Sequence, residues 1–222
     1  DTGKYKLYVS LEKEKKWYIY KLKDVSSPEG FDPSTAKLVF SPSSEAKDSR
    51  KVKDPYIINF GNIWYMFYSG SGEEPQEEAF LATSKNGVDW VRRGCILQRN
   101  TWHNYHSRMS CVLPLGKGFI FLYEGSSFSW YEPHFNLNIG FGYTADLKNF
   151  LDLTSEKPLL SSSGKGDFST IRYVDYVFFN NKIVFYYEAA RDENSFELRA
   201  VRINPLLGVH QESSKEKRMR IM

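Results

Sequence analysis

Apolar and polar positions in this chain alternate in short runs, and the runs recur. In the clearest stretch, residues 54–60 lead into a Gly61-Asn62 pair and the run 63–69. Two further runs follow, 79–84 and 90–97, separated by Lys85-Asn86-Gly87. Runs of this length bounded by Gly and Asn predict four short strands, the tight turns joining them into antiparallel hairpins. Helical periodicity is nearly absent before the charged segment after Gly208.

The order of these runs repeats. Residues 63–70 (IWYMFYSG), 119–125 (FIFLYEG) and 183–189 (IVFYYEA) read alike, and residues 5–10 (YKLYVS) are a weaker copy. Their shared tyrosines, Tyr8, Tyr68, Tyr123 and Tyr187, lie 60, 55 and 64 residues apart. A second echo follows at 21–31, 82–90 and 143–150, and its closing aromatics, Phe31, Trp90 and Phe150, are spaced by 59 and 60. Two independent echoes at one period predict a repeated four-stranded antiparallel sheet, the blade of a β-propeller. A β-sandwich also has many short strands, but nothing in it repeats the sequence at this interval. The expected division is the last three strands of a blade in 1–50, whole blades in 51–105 and 106–165, and most of a fourth in 166–205. Residues 1–209 form the blades and 210–222 a charged tail. A first strand and a fifth blade are expected outside these residues, unless 217–222 closes the ring.

Composition narrows the partners. Aromatic residues make up 16% of the chain (15 Tyr, 16 Phe, 5 Trp), which favours β-structure and sugar-facing surfaces. Thirty basic against 27 acidic residues leave a net charge of +3, too balanced to point to nucleic acid. No apolar run approaches the roughly 18 residues of a membrane helix. Cys95 and Cys111 read as two ordinary thiols in preference to a bridge. Without a signal-like stretch after Asp1, compartment stays open, as does oligomeric state.

The string Lys53-Asp54-Pro55, then residues 63–70, then Ala82-Thr83-Ser84 and Gly87-Val88-Asp89-Trp90, resembles the blade repeat of the furanosidase-type superfamily. That group holds the family 32 and family 43 glycosidases and the related family 130 mannoside phosphorylases. The resemblance implies an all-β, five-bladed β-propeller of which this chain covers roughly four blades. It also implies a channel mouth whose carboxylates cleave glycosidic bonds without a cofactor. In the superfamily an Asp at the place of Asp54 serves as base, nucleophile or charge stabiliser. The acid Glu there opens the first strand of the next blade, but here that place reads Ser107-Arg108-Met109-Ser110.

Antiparallel order sets the start of a blade's first strand beside the end of its second. Asp54, Arg108 and Arg172 fall at or near first-strand starts, and Ser69, Glu124 and Glu188 at second-strand ends. Pro55 predicts an extended Asp54 with a fixed aim. Glycoside cleavage needs a second carboxyl group as proton donor. Glu124 fits by type and setting, or else pairs with a basic neighbour such as Arg108. Asp175 lies near two periods beyond Asp54, although alignment on Tyr68 and Tyr187 puts Tyr173 opposite Asp54. Arg108 and Arg172 align with Lys53 and suit a phosphate or an acidic sugar, or else neutralise nearby carboxylates. Trp102, His103 and His106 in one loop, and Trp130 with Tyr131 and His134 in another, offer stacking faces and hydroxyl partners for a saccharide. His103 and His106 lack a third ligand, so no metal is expected. The leading expectation is a glycoside hydrolase acting on a small-molecule or oligosaccharide substrate. A phosphorylase and a non-catalytic sugar-binding propeller remain open beside it.

Overall fold

The computed structural model describes residues 3–129, 136–161, 170–191 and 195–203. It divides into two compact units, Asp1–Arg99 with Ser107–Met109, and Asn100–His106 with Ser110–Met222. In the first unit, β1 (Tyr8–Lys13), β2 (Lys16–Lys21) and β3 (Lys37–Phe40) form one antiparallel group. The strands β4 (Lys51–Phe60), β5 (Ile63–Ser71), β6 (Glu78–Ser84) and β7 (Trp90–Cys95) pair in chain order as a second group. A single parallel bridge, Trp17 to Lys51, links β2 to β4. The second unit carries β8 (His106–Leu115, three residues of which belong to the first unit), β9 (Gly118–Ser126), β10 (Asn138–Thr144) and β11 (Leu151–Asp152). Its other sheet is β12 (Ile171–Phe179), β13 (Lys182–Ala190) and β14 (Phe196–Ile203). The described strands thus fall into groups of three, four, four and three along the chain. Among the described residues the helical segments are two single 3₁₀ turns, Pro28–Gly30 and Pro33–Thr35. No described helix is long and apolar enough to cross a membrane.

The turns explain the echoes. Gly61 and Asn62 both take positive φ (+60° and +62°), as do Asn180 and Asn181 (+50° and +60°), matching the handed twist of two-residue hairpins. The second echo is a polar knot. Ser84 Oγ accepts from the amides of Asn86 and Gly87, while Asn86 Oδ1 accepts from those of Val88 and Asp89. In the second unit Thr144 Oγ1 accepts from Asp146 and Leu147, and Asp146 Oδ1 from Lys148 and Asn149. Those amide bonds, with Asn149 first, hold the Asp146 carboxyl at about 2.

Second strands carry the core. All but the first two residues of β5 are buried, which suits a strand covered on both faces. Met66 and Tyr68 join Ile19, Phe40, Val52, Phe80 and Ala82 in one cluster, so the β1–β3 and β4–β7 groups share it. In the second unit Phe121 and Tyr123 of β9 are fully buried. Gly140 and Gly142 on β10 lie against those rings, and a Cβ at either would stand 2.1 Å from a ring carbon.

Buried Tyr68 keeps its hydroxyl satisfied by donating to Asp48 Oδ2 at 2.8 Å, and Arg92 Nε donates to the same carboxylate at 2.9 Å. The Arg92 guanidinium rests on Phe40, 4.3 Å from the ring centroid. Asp48, only 1% exposed, therefore joins the loop before β4 to β5 and β7. Asp48→Ala should destabilise by about 2–4 kcal/mol, because it leaves the buried Tyr68 hydroxyl without its acceptor and the Arg92 guanidinium without its carboxylate partner. Tyr68→Phe should cost about 1 kcal/mol. Urea unfolding of both variants checks the order.

Candidate active site

In the first unit the site is built on an irregularity of β4. Lys51, Val52 and Lys53 pair with Ser71, Gly70 and Ser69, and the register then shifts before Tyr56 pairs with Phe67. Asp54 lies in that bulge with φ of +53°. The extended conformation predicted from Pro55 is therefore not adopted, because the bulge turns the backbone instead. Such a φ is unfavourable for a side-chain-bearing residue and persists only where the surroundings enforce it. Enforcement comes from β1: the Asp54 amide donates to Ser10 Oγ at 2.8 Å.

The Asp54 side chain, about one-third exposed, is gripped by charge. Arg108 Nη1 donates to Oδ2 at 2.9 Å, and Lys53 Nζ stands 3.9 Å from the same oxygen. Behind it sits Glu77, 9% exposed, a residue with no counterpart in the sequence expectations. Its Oε1 accepts from Lys53 at 3.0 Å and from Lys51 at 3.2 Å, and its Oε2 from Ser69 at 3.1 Å. Lys53 also lies over the Trp17 ring at 5.7 Å. Two carboxylates and three cations thus form one chain of charge, which orients Asp54 from two sides. The Ser107 amide donates to the Glu77 carbonyl at 2.9 Å, which fixes the start of β8 and with it Arg108.

The second unit repeats the device. The register of β12 against β13 shifts between Arg172 and Asp175, and Tyr173 takes φ of +55°. Tyr173 thereby occupies the place of Asp54, as alignment on the repeat tyrosines implies, and Asp175 pairs with Tyr186 as Tyr56 pairs with Phe67. The Tyr173 amide donates to Glu124 Oε1 on β9, which also accepts from Ser110 Oγ at 2.9 Å. Glu124 is fully buried. Arg172 Nε donates to Glu188 Oε2 at 2.6 Å, and its guanidinium stacks on Phe196 at 4.0 Å and Tyr173 at 5.0 Å. The Asp175 side chain is solvent-accessible, yet crowding by neighbouring atoms raises its carboxyl above the ordinary range, against the lowering effect of the Tyr176 amide.

The first aromatic loop is interior. Trp102 is 6% exposed, stacks on Tyr123 at 5.5 Å and donates its indole N–H to Thr154 O at 2.6 Å. His103 is buried, with Nε2 3.0 Å from Asp152 Oδ2, and His106 is buried beside it in sequence. Trp130, Tyr131 and His134 lie outside the described residues. Among the described residues no three metal-ligating side chains gather, and both cysteines are free thiols. An open depression of about 680 Å³ in the first unit, bordered by Glu73, Glu78, Leu97 and Arg99, includes none of the residues around Asp54. The convergence of residues around Asp54, not the presence of a cavity, makes it the candidate site.

No family model matches the chain. A 1,2-β-oligomannan phosphorylase of Thermoanaerobacter sp. (strain X514) is 41% identical over 63 residues, 28% of this chain and 21% of that protein. Among solved structures, β-1,2-mannobiose phosphorylase from Listeria innocua matches with a TM-score of 0.62 and 18% identity, over 83% of this chain and 48% of its own. A family 32 β-fructofuranosidase of Bombyx mori matches at 0.64 and 14%, covering 90% and 43%. An α-L-arabinofuranosidase from Lactobacillus brevis matches at 0.66 and 13%, covering 93% and 66%. The chain thus spans about a fifth of the curated relative and less than half of the mannobiose phosphorylase. It has the β-propeller fold of the furanosidase-type glycoside hydrolases and phosphorylases.

The pair at His103 carries a pH dependence. Burial pushes the Asp152 carboxyl up, but bonds from His103, the Thr154 amide and Tyr123 outweigh it and hold the carboxyl below its usual range. A lowered folded value contributes stability above the unfolded pKa, near 4, and loses it as pH falls through the folded value. Asp152→Asn should therefore cost more stability at pH 6 than at pH 2, measured by urea midpoints at the two values.

Proposed function

We propose that this chain carries part of the active site of an enzyme that cleaves glycosidic bonds, with Asp54 as its reacting carboxylate. One observation carries the reading: a non-glycine residue held at φ of +53° by Ser10, its carboxylate gripped by Arg108. Strain sustained by bonds from two other strands serves the aim of a side chain, and the side chain so aimed is a carboxylate. Beside two cations, that carboxylate is suited to accept a proton or to oppose the positive charge that develops at the sugar ring. The shared fold supports the same class of reaction without choosing its acceptor.

Cleavage also needs a proton for the leaving oxygen. Glu124 is buried, with Oε1 engaged by Ser110 and the Tyr173 amide. Glu124 therefore supports the bulge at Tyr173, and Asp54 alone is assigned a role in the reaction.

Phosphorolysis is the second reading, favoured by the 63-residue match to an oligomannan phosphorylase and by Lys51, Lys53 and Arg108 around Asp54. There the glycosidic C–O bond breaks, phosphate oxygen takes the anomeric carbon, and the proton passes to the leaving hydroxyl.

Asp54→Asn should lower turnover by about 10²–10⁴-fold while leaving folding intact. On p-nitrophenyl glycosides, whose leaving group needs no acid, Asp54→Asn should remain impaired. Assays of β-1,2-mannobiose with and without inorganic phosphate separate the two acceptors, since phosphorolysis stops without it. Full turnover by Asp54→Asn would remove the assignment.

A further inference from the structure

The two strained positions of the described sheets match in every backbone respect. Each follows a basic residue at a first-strand start, Lys53 and Arg172. Each lies where the register shifts, and each has its amide held by a side chain from another strand, Ser10 of β1 and Glu124 of β9. At Asp54 the device aims a carboxylate. At Tyr173 it aims an aromatic ring that is 53% exposed.

The support under Tyr173 is costly to build. A carboxylate with no exposure, Glu124, takes the Tyr173 amide and is itself anchored by Ser110. Removing a charged group from water is expensive unless it makes bonds of this kind. A ring that contributes little burial does not by itself offset an unfavourable backbone conformation. Glycine would take this φ without strain, so the strain here is the cost of carrying a side chain at this position.

We infer that Tyr173 is a saccharide-stacking residue, its ring steadied by the Arg172 guanidinium. Three features define the ligand class. The ring presents an apolar face with a phenolic edge, suited to the C–H face of a sugar. The Arg172 guanidinium, 5.0 Å from that ring, fixes its orientation. Because Arg172 is already paired with Glu188 at 2.6 Å, the local charge is matched, and a neutral polyol is favoured over an anion. Arg172 and Glu188 then serve hydroxyl groups as donor and acceptor. The inference deepens the proposed function and rests on it.

Two measurements on the full chain test it. Tyr173→Gly keeps the amide for Glu124 and relieves the strain, so its Tm should stay unchanged or rise by up to about 4 °C. A lowered Tm would mark the ring as structural and overturn the inference without any assay of activity. In the second measurement, β-1,2-mannobiose, sucrose and an arabinofuranosyl disaccharide are titrated while tyrosine ring ¹³C shifts are followed. A bound sugar should move the Tyr173 signals. Tyr173→Gly should weaken its binding roughly tenfold, and Tyr173→Phe should restore it. Sugar binding that leaves Tyr173 unmoved and is unaffected by Tyr173→Gly overturns this inference and spares the reading of Asp54. Absence of binding by all three sugars overturns both.

Discussion

Strands β5 and β9 must be covered on both faces, and much of the described structure follows from that constraint. Strand β5 buries nearly its whole length, and a lone four-stranded sheet cannot do that. In the first unit the β1–β3 and β4–β7 groups close one cluster around Met66 and Tyr68. A tyrosine inside such a layer brings a hydroxyl that needs an acceptor. Tyr68 finds Asp48 and Tyr123 finds Asp152, and each aspartate is then matched by a second donor, Arg92 in one unit and His103 in the other. The recurring tyrosine is thus a packing residue with a polar tether, which is why it marks the period so clearly.

Against this packed background the bulges at Asp54 and Tyr173 are the exceptions. A first strand has one edge paired with its second strand. Where the register shifts, the strand turns a residue out of the ladder and leaves its amide to be bonded elsewhere. Ser10 and Glu124 supply that bond from neighbouring strands in the packing order. The strain is therefore supported by the same inter-sheet packing that buries the second strands. A change in that packing would reach the aim of Asp54 before it reached the fold.

The electrostatic arrangement at Asp54 has a similar logic. Glu77 is buried because Lys51, Lys53 and Ser69 satisfy it, and through Lys53 it limits how far the local charge can drift from balance. Arg108 arrives from β8, whose start is held by the Glu77 carbonyl. One buried acid thus organises both cations that touch Asp54, one through its carboxylate and the other through its backbone.

What the sequence determined by itself was local and periodic. Tyrosine spacing near 60, the Gly61-Asn62 and Lys85-Asn86-Gly87 turns, and alternating runs specify hairpins and their repetition, because turn geometry and side-chain alternation depend on a few adjacent residues. The places of Asp54, Arg172 and Glu188 at strand ends were legible for the same reason. The tertiary structure alone decided what depends on distant partners. Pro55 suggested an extended Asp54, yet Ser10, 44 residues away, holds the bulge that gives it positive φ. Glu77 carried no motif, since its burial depends on two lysines from another strand. Trp102 and His103 read as saccharide partners in a loop, and their burial against Tyr123, Asp152 and Thr154 depends on residues about 20 to 50 positions away. Strain and burial are properties of packing, and no window of adjacent residues contains them.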